Sequence, residues 1–168
     1  MKYRQFKNSA ERHLRICEKL LLRLEDRNIS KIDAAFIRHE VYYLSGYIIE
    51  TLISYALCNH LQIEEEIEEN EHFKDNPQFK THSLTRKYNY AKKQNCYLTD
   101  IIFLSKACSN RKLQDLFENW DVKYRYETPR ISLDKDDLDA YIKEIRNIYL
   151  TILLRYPLWL RYLIVLRF

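Results

Sequence analysis

The sequence predicts an all-α protein: an up-and-down bundle of four to five helices with a short apolar helix at the C-terminus. Three observations predict it. One glycine and three prolines in 168 residues leave the chain almost without breakers, whereas tight-turn β-sandwiches and barrels consume both. Residues are 46% hydrophobic and 31% charged, enough apolar material for a core. The apolar positions recur at steps of three and four, the period of a helix face. A single glycine also excludes the glycine-rich phosphate cradles of Rossmann and P-loop proteins. The length suits one domain over 1–156, with 157–168 as an apolar and aromatic appendage packed on the bundle or on a dimer partner.

The elements follow in order. Ala10, Leu14, Cys17, Leu21 and Leu24 form one stripe, with Arg12, Arg15, Lys19 and Arg23 on other faces, so 3–27 reads as an amphipathic helix. A second helix starts near Asp33 as N-cap and runs to Leu61, and its middle, 44–58, is apolar nearly all round, which places it at the centre of the bundle. Gly46 lies inside this helix, where glycine costs about 1 kcal/mol against alanine, and close approach of a neighbouring helix is the expected compensation. The acidic run 64–71 reads as a solvated connector. Thr81–Ala91 begins a third helix through Leu84, Tyr88 and Ala91, and Thr99–Ser109 a fourth through Ile101, Ile102, Leu104 and Ala107. A short turn around Leu113, Leu116 and Phe117 precedes a loop over 120–130 rich in aromatics and cations. Ser132 or Asp134 caps the last long helix, with Asp136 and Asp137 in its first turn and Leu138, Tyr141, Ile142, Ile145, Tyr149 and Ile152 as its stripe. Pro157 ends it. Three arginines at 155, 161 and 167 argue against a membrane span at the tail, and burial against protein is preferred to contact of 158–168 with a membrane surface.

The net charge of +4 hides an asymmetry. Residues 61–73 carry six acidic side chains and no basic ones, while 74–130 carry twelve basic against six acidic. A basic centre with interleaved tyrosines suits an anionic partner, and a solvated basic face is its ordinary alternative. Cys17, Cys58, Cys96 and Cys108 show no metal or redox spacing. They read as reduced thiols of a cytoplasmic protein, Cys17 and Cys58 as small buried hydrophobes. No metal set and no cofactor is expected.

Several residues stand out chemically. His82, at a helix start, is either a proton-transfer or phosphate-contacting group or a local hydrogen-bonding residue. Glu50 lies in the most apolar helix and requires a cation, for which Arg125 is the expected partner in a structural ion pair. Lys123, Arg125 and Arg130 with Trp120, Tyr124 and Tyr126 combine cations and flat rings in one loop. That combination holds a nucleotide by phosphate grip and base stacking, or else is a half-buried segment with tyrosines inward. Arg86, Lys87, Lys92 and Lys93 extend this basic surface or form a solvated helical face.

Ile48–Leu57 with its Ile-Glu-Thr-Leu-Ile core, Thr81-His-Ser-Leu84, and Tyr124-Arg-Tyr126 followed by the capped Leu133–Leu138 resemble, in order and spacing, the HEPN family of small helical bundles over residues 34–153. The resemblance implies a dimerising helical bundle that is either a metal-independent ribonuclease or a non-catalytic module binding nucleotides or RNA. It further implies a toxin–antitoxin or defence setting, often beside a minimal nucleotidyltransferase partner. The family's ribonucleases share an arginine followed, after four to six residues, by a histidine; none of His13, His39, His60, His72 and His82 has it. The expectation is therefore a non-catalytic nucleotide- or RNA-binding module, a homodimer without a DNA-binding signature. The alternatives are a divergent ribonuclease using His82 with Arg86 or Arg125, and an assembly subunit pairing through its tail.

Overall fold

A computed structural model describes residues 3–63, 66, 70, 73–96, 98, 110–128 and 131–155. Within them lie six helices, α1 (Arg4–Arg23), α2 (Lys31–His60), α3 (Pro77–Lys80), α4 (Leu84–Lys93), α5 (Arg111–Glu118) and α6 (Lys135–Arg155), with a 3₁₀ turn at Val122–Arg125. The protein is an all-α helical bundle, without strands among the described residues. The expected fourth helix over 99–109, Cys108, Pro129, Arg130, the acidic residues Glu68, Glu69 and Glu71 with His72, and the appendage 157–168 fall outside the described residues.

Helix α1 buries Ala10, Leu14, Cys17 and Leu21, the predicted stripe. It stops at Arg23 rather than 27, because Arg23 pairs with Asp26 at 2.6 Å and Asn28 N–H bonds the same carboxylate, folding the chain into a turn. The short connection brings α2 back along α1. The Cys17 thiol donates to the Val41 carbonyl at 3.7 Å, and burial pushes its pKa up to about 12, so it packs as a hydrophobe.

Helix α2 is capped one turn earlier than expected. Ser30, in extended conformation, accepts the Asp33 N–H at 3.0 Å, and its hydroxyl donates to the Asp33 carboxylate. Asp33 is thus the reciprocal partner of the cap and not the cap itself. Beyond Val41 the helix is buried on most sides, packing on α1, α4, α6 and the 3₁₀ turn. It is long and apolar enough to cross a membrane, yet 72% of its apolar window is buried in the protein, as a central core helix requires.

Gly46 is compensated by a side chain, not by a helix. The Trp120 indole lies flat against its backbone, so that an added Cβ would fall 1.8 Å from Trp120 Cε2. The indole Nε1 donates to the Tyr43 carbonyl at 3.0 Å, and Tyr47 meets the ring edge-on at 5.5 Å. Glycine at 46 is the socket that anchors the loop after α5.

Helix α4 begins at Leu84 with Ser83 as cap, three residues later than expected. The turn predicted around Leu113 is a full helix, α5, capped by Asn110 and burying Leu113, Leu116 and Phe117. Tyr42 donates to the Leu116 carbonyl at 2.8 Å, binding the end of α5 to the centre of α2. Asp134 precedes α6, its carbonyl accepting from Leu138, and the stripe from Leu138 to Ile152 is buried as expected.

Candidate functional site

The chemistry gathers where the N-terminal end of α4 meets the middle of α2. Glu50 sits on a partly exposed edge of an otherwise apolar helix, its side chain 13% exposed. One carboxylate oxygen accepts from Lys87 Nζ at 2.9 Å; the other lies 3.1 Å from His82 Nδ1. Lys87 is 4% exposed, also donates to Ser54 Oγ at 3.3 Å, and lies 5.2 Å over the Phe79 ring. A buried ammonium needs opposite charge and hydrogen-bond acceptors, and Glu50 with Ser54 supplies both. The partner expected for Glu50 was Arg125. The ion partners found are Lys87 and His82, because the helical period of α4 turns Lys87 inward against α2 while Arg125 lies on an exposed turn.

His82 stands at the rim, its side chain 56% exposed. A carboxylate can only accept here, so Nδ1–H donates to Glu50, and in the neutral ring Nε2 is the basic nitrogen. Nε2 has no hydrogen-bond partner among the described residues. Tyr47 stands between His82 and His13, with ring centroids 6.5 Å and 6.3 Å away, and shares a 3.1 Å hydrogen bond with the Tyr43 hydroxyl. Burial first, then Tyr43 and the Glu50 charge, push the Tyr47 hydroxyl pKa up, while Arg125 acts in the opposite direction. Glu50 and Arg125 thus act in opposite directions on the Tyr47 hydroxyl, and Arg125 forms no ion pair with Glu50. His13 is held towards its neutral form by burial and Arg12, and its buried Nδ1 has no hydrogen-bond partner among the described residues.

The loop after α5 divides by face. Trp120 and Tyr124 are buried, the first in the Gly46 socket and the second against Tyr42 at 5.7 Å, so neither ring is free to stack on a ligand. They were expected among the ligand-binding aromatics, and here they fasten the loop. Tyr126 is 83% exposed, with the Arg125 guanidinium 5.7 Å over its ring, and Lys123 is exposed beside Asp121. Arg125, Tyr126 and Lys123 are the outward set; Arg130 lies outside the described residues. Arg86 faces elsewhere, lining a groove between α3 and α4. Among the described residues no group of three or more His, Cys, Asp and Glu side chains could hold a metal ion.

Two members of the site, Lys87 and Tyr47, were not singled out from sequence as site residues. Lys87 is separable from its basic neighbours Arg86, Lys92 and Lys93 only by its place, three residues after Leu84 and one before Tyr88, on the buried side of α4. Tyr47 carried no distinguishing signal within an aromatic-rich helix. Compared with known proteins, the chain matches no family model, no curated protein and no solved structure.

Proposed function

We propose that the chain is an RNA-binding module of HEPN-like type that acts without a resident cofactor, and that single-stranded RNA lies across the face formed by His82, Arg125 and Tyr126. The observation that carries this reading is the pairing of an exposed Arg125–Tyr126 unit with a rim histidine whose inner nitrogen is already held by Glu50. The guanidinium meets a phosphate with several N–H donors, the Tyr126 ring offers a platform for one base, and His82 Nε2 faces the strand. The buried Trp120 and Tyr124 keep the turn rigid, so little ordering is lost when the strand binds.

Fluorescence anisotropy of a labelled single-stranded RNA at several salt concentrations tests the reading. It predicts binding that weakens linearly in log affinity against log salt, and a slope shallower by about 1 for Arg125→Gln. Absence of binding at low salt would refute it.

The Glu50–His82 contact favours a second reading, a metal-independent ribonuclease. A carboxylate-oriented imidazole is a general base: His82 Nε2 would take the proton of a 2′-hydroxyl as its oxygen attacks the adjacent phosphorus, and the P–O5′ bond breaks with the 5′-oxygen taking a proton from water. Of the two arginines considered for that role, Arg125 acts on Tyr47, the ring beside His82, while Arg86 lines the groove between α3 and α4. Cleavage of RNA by the wild type that His82→Ala abolishes would establish this reading in place of binding alone.

A further inference from the structure

A second feature lies on the other side of α4, turned towards α3. The single-turn α3 is fixed by Asn76, whose side chain accepts the Gln78 and Phe79 N–H groups, and by Phe79, buried against Phe73 at 4.1 Å. Between the two helices, Pro77, Gln78, Arg86, Asn89, Tyr90 and Lys93 line a half-open surface groove of about 400 Å³, within the range of about 300–1,000 Å³ that small-molecule sites occupy.

The charges there are unbalanced. No acidic residue lines the groove, and neither Arg86 nor Lys93 has a carboxylate partner among the described residues. Lys93 stands in the last turn of α4, where helix carbonyls favour a cation, and Arg86 stands in the first turn, which has no acidic residue of its own. Two side-chain amides, Gln78 and Asn89, add two acceptors and four N–H donors, a set that suits hydroxyls rather than a second phosphate.

We infer that this groove binds a small phosphomonoester with a hydroxyl-bearing body, the phosphate held by Arg86 and Lys93 and the body by Gln78 and Asn89 over the Tyr90 ring. The site is separate from the RNA-binding face and does not rest on it. Isothermal titration of the full-length protein with ribose 5-phosphate, inorganic phosphate and ribose tests it. Ribose 5-phosphate is expected to bind at least tenfold tighter than either fragment, Arg86→Gln to weaken it at least tenfold, and Asn89→Ala to bring its affinity down to that of inorganic phosphate. Arg125→Gln, with circular dichroism confirming the fold of every variant, is expected to leave it unchanged. Equal affinity for ribose 5-phosphate and inorganic phosphate, no binding of either, or wild-type affinity in folded Arg86→Gln overturns the inference.

Discussion

Glu50 and Gly46 show most clearly how single residues of α2 organise the site. Glu50 neutralises Lys87 in a nearly dry setting while orienting His82 at the rim, so the same carboxylate serves stability and chemistry. Removing one partner of such a pair leaves an uncompensated buried charge. Lys87→Met or Glu50→Gln is expected to cost about 3–5 kcal/mol in urea denaturation, and the double replacement Lys87→Met/Glu50→Leu much less than the sum of the singles. Additive losses would show that the pair is not coupled. At Gly46, a methyl group displaces the Trp120 indole. Loss of a buried tryptophan costs about 3–5 kcal/mol and better helix propensity returns about 1, so Gly46→Ala is expected to lose about 2–4 kcal/mol. An unchanged denaturation midpoint would contradict the socket. That Glu50 needs a cation and Gly46 a close neighbour is legible in the sequence, from one carboxylate and one glycine in an apolar helix. Which neighbours they take is not, because Lys87 and Trp120 are 37 and 74 residues distant, and only the assembled bundle brings them in.

The element scale repeats that division between local and distant information. The stripes of α1 and α6 are legible because each buries one face against the bundle, while α2 is recognised as central by being apolar on most sides. Boundaries shift where a polar side chain competes for the backbone: Ser30 outranks Asp33 as cap, and Ser83 rather than Thr81 opens α4. Ser30→Ala is expected to cost about 1 kcal/mol, within the range of about 0.5–2 for an N-cap hydroxyl, as read by thermal denaturation. Asp33→Ala should cost less, since the cap bond to the backbone survives it; a larger loss there than at Ser30 would restore Asp33 as the cap. The loop after α5 is sorted by face, and its inward half is the half-buried segment with aromatics inward that the sequence allowed. Trp120 and Tyr124 are its inward aromatics, and Lys123, Arg125 and Tyr126 are its outward side chains. Alternation of rings and cations cannot separate these from sequence, since a short 3₁₀ turn sorts them by face in three dimensions.

At the scale of the whole molecule, the core of the described residues holds eight buried tyrosines beside its aliphatic side chains, and this gives it a defined pH response. Burial raises the pKa of Tyr42, Tyr47, Tyr88 and Tyr141, and of Tyr149 to about 12. Because the unfolded chain ionises its tyrosines near pH 10, their contribution is complete below that pH and is lost as pH rises through the folded values. Absorbance at the tyrosinate band is expected to show several of the 14 tyrosines ionising only together with loss of helical circular dichroism; smooth ionisation of all of them in a still-folded protein would contradict it. His13 acts at the other end. Its folded pKa is lowered, so its contribution is complete above about pH 6.5 and declines as pH falls towards the folded value. Between these limits the folded bundle carries the proposed function, in which Arg125, Tyr126 and His82 take up RNA. The most direct test of that claim is anisotropy titration of single-stranded RNA with wild type and with Arg125→Gln/Tyr126→Ala, both shown by circular dichroism to be folded. The account predicts a loss of at least tenfold in affinity for the double variant, consistent with about 1–3 kcal/mol for one stacked base plus a lost phosphate contact. Equal affinities would contradict it.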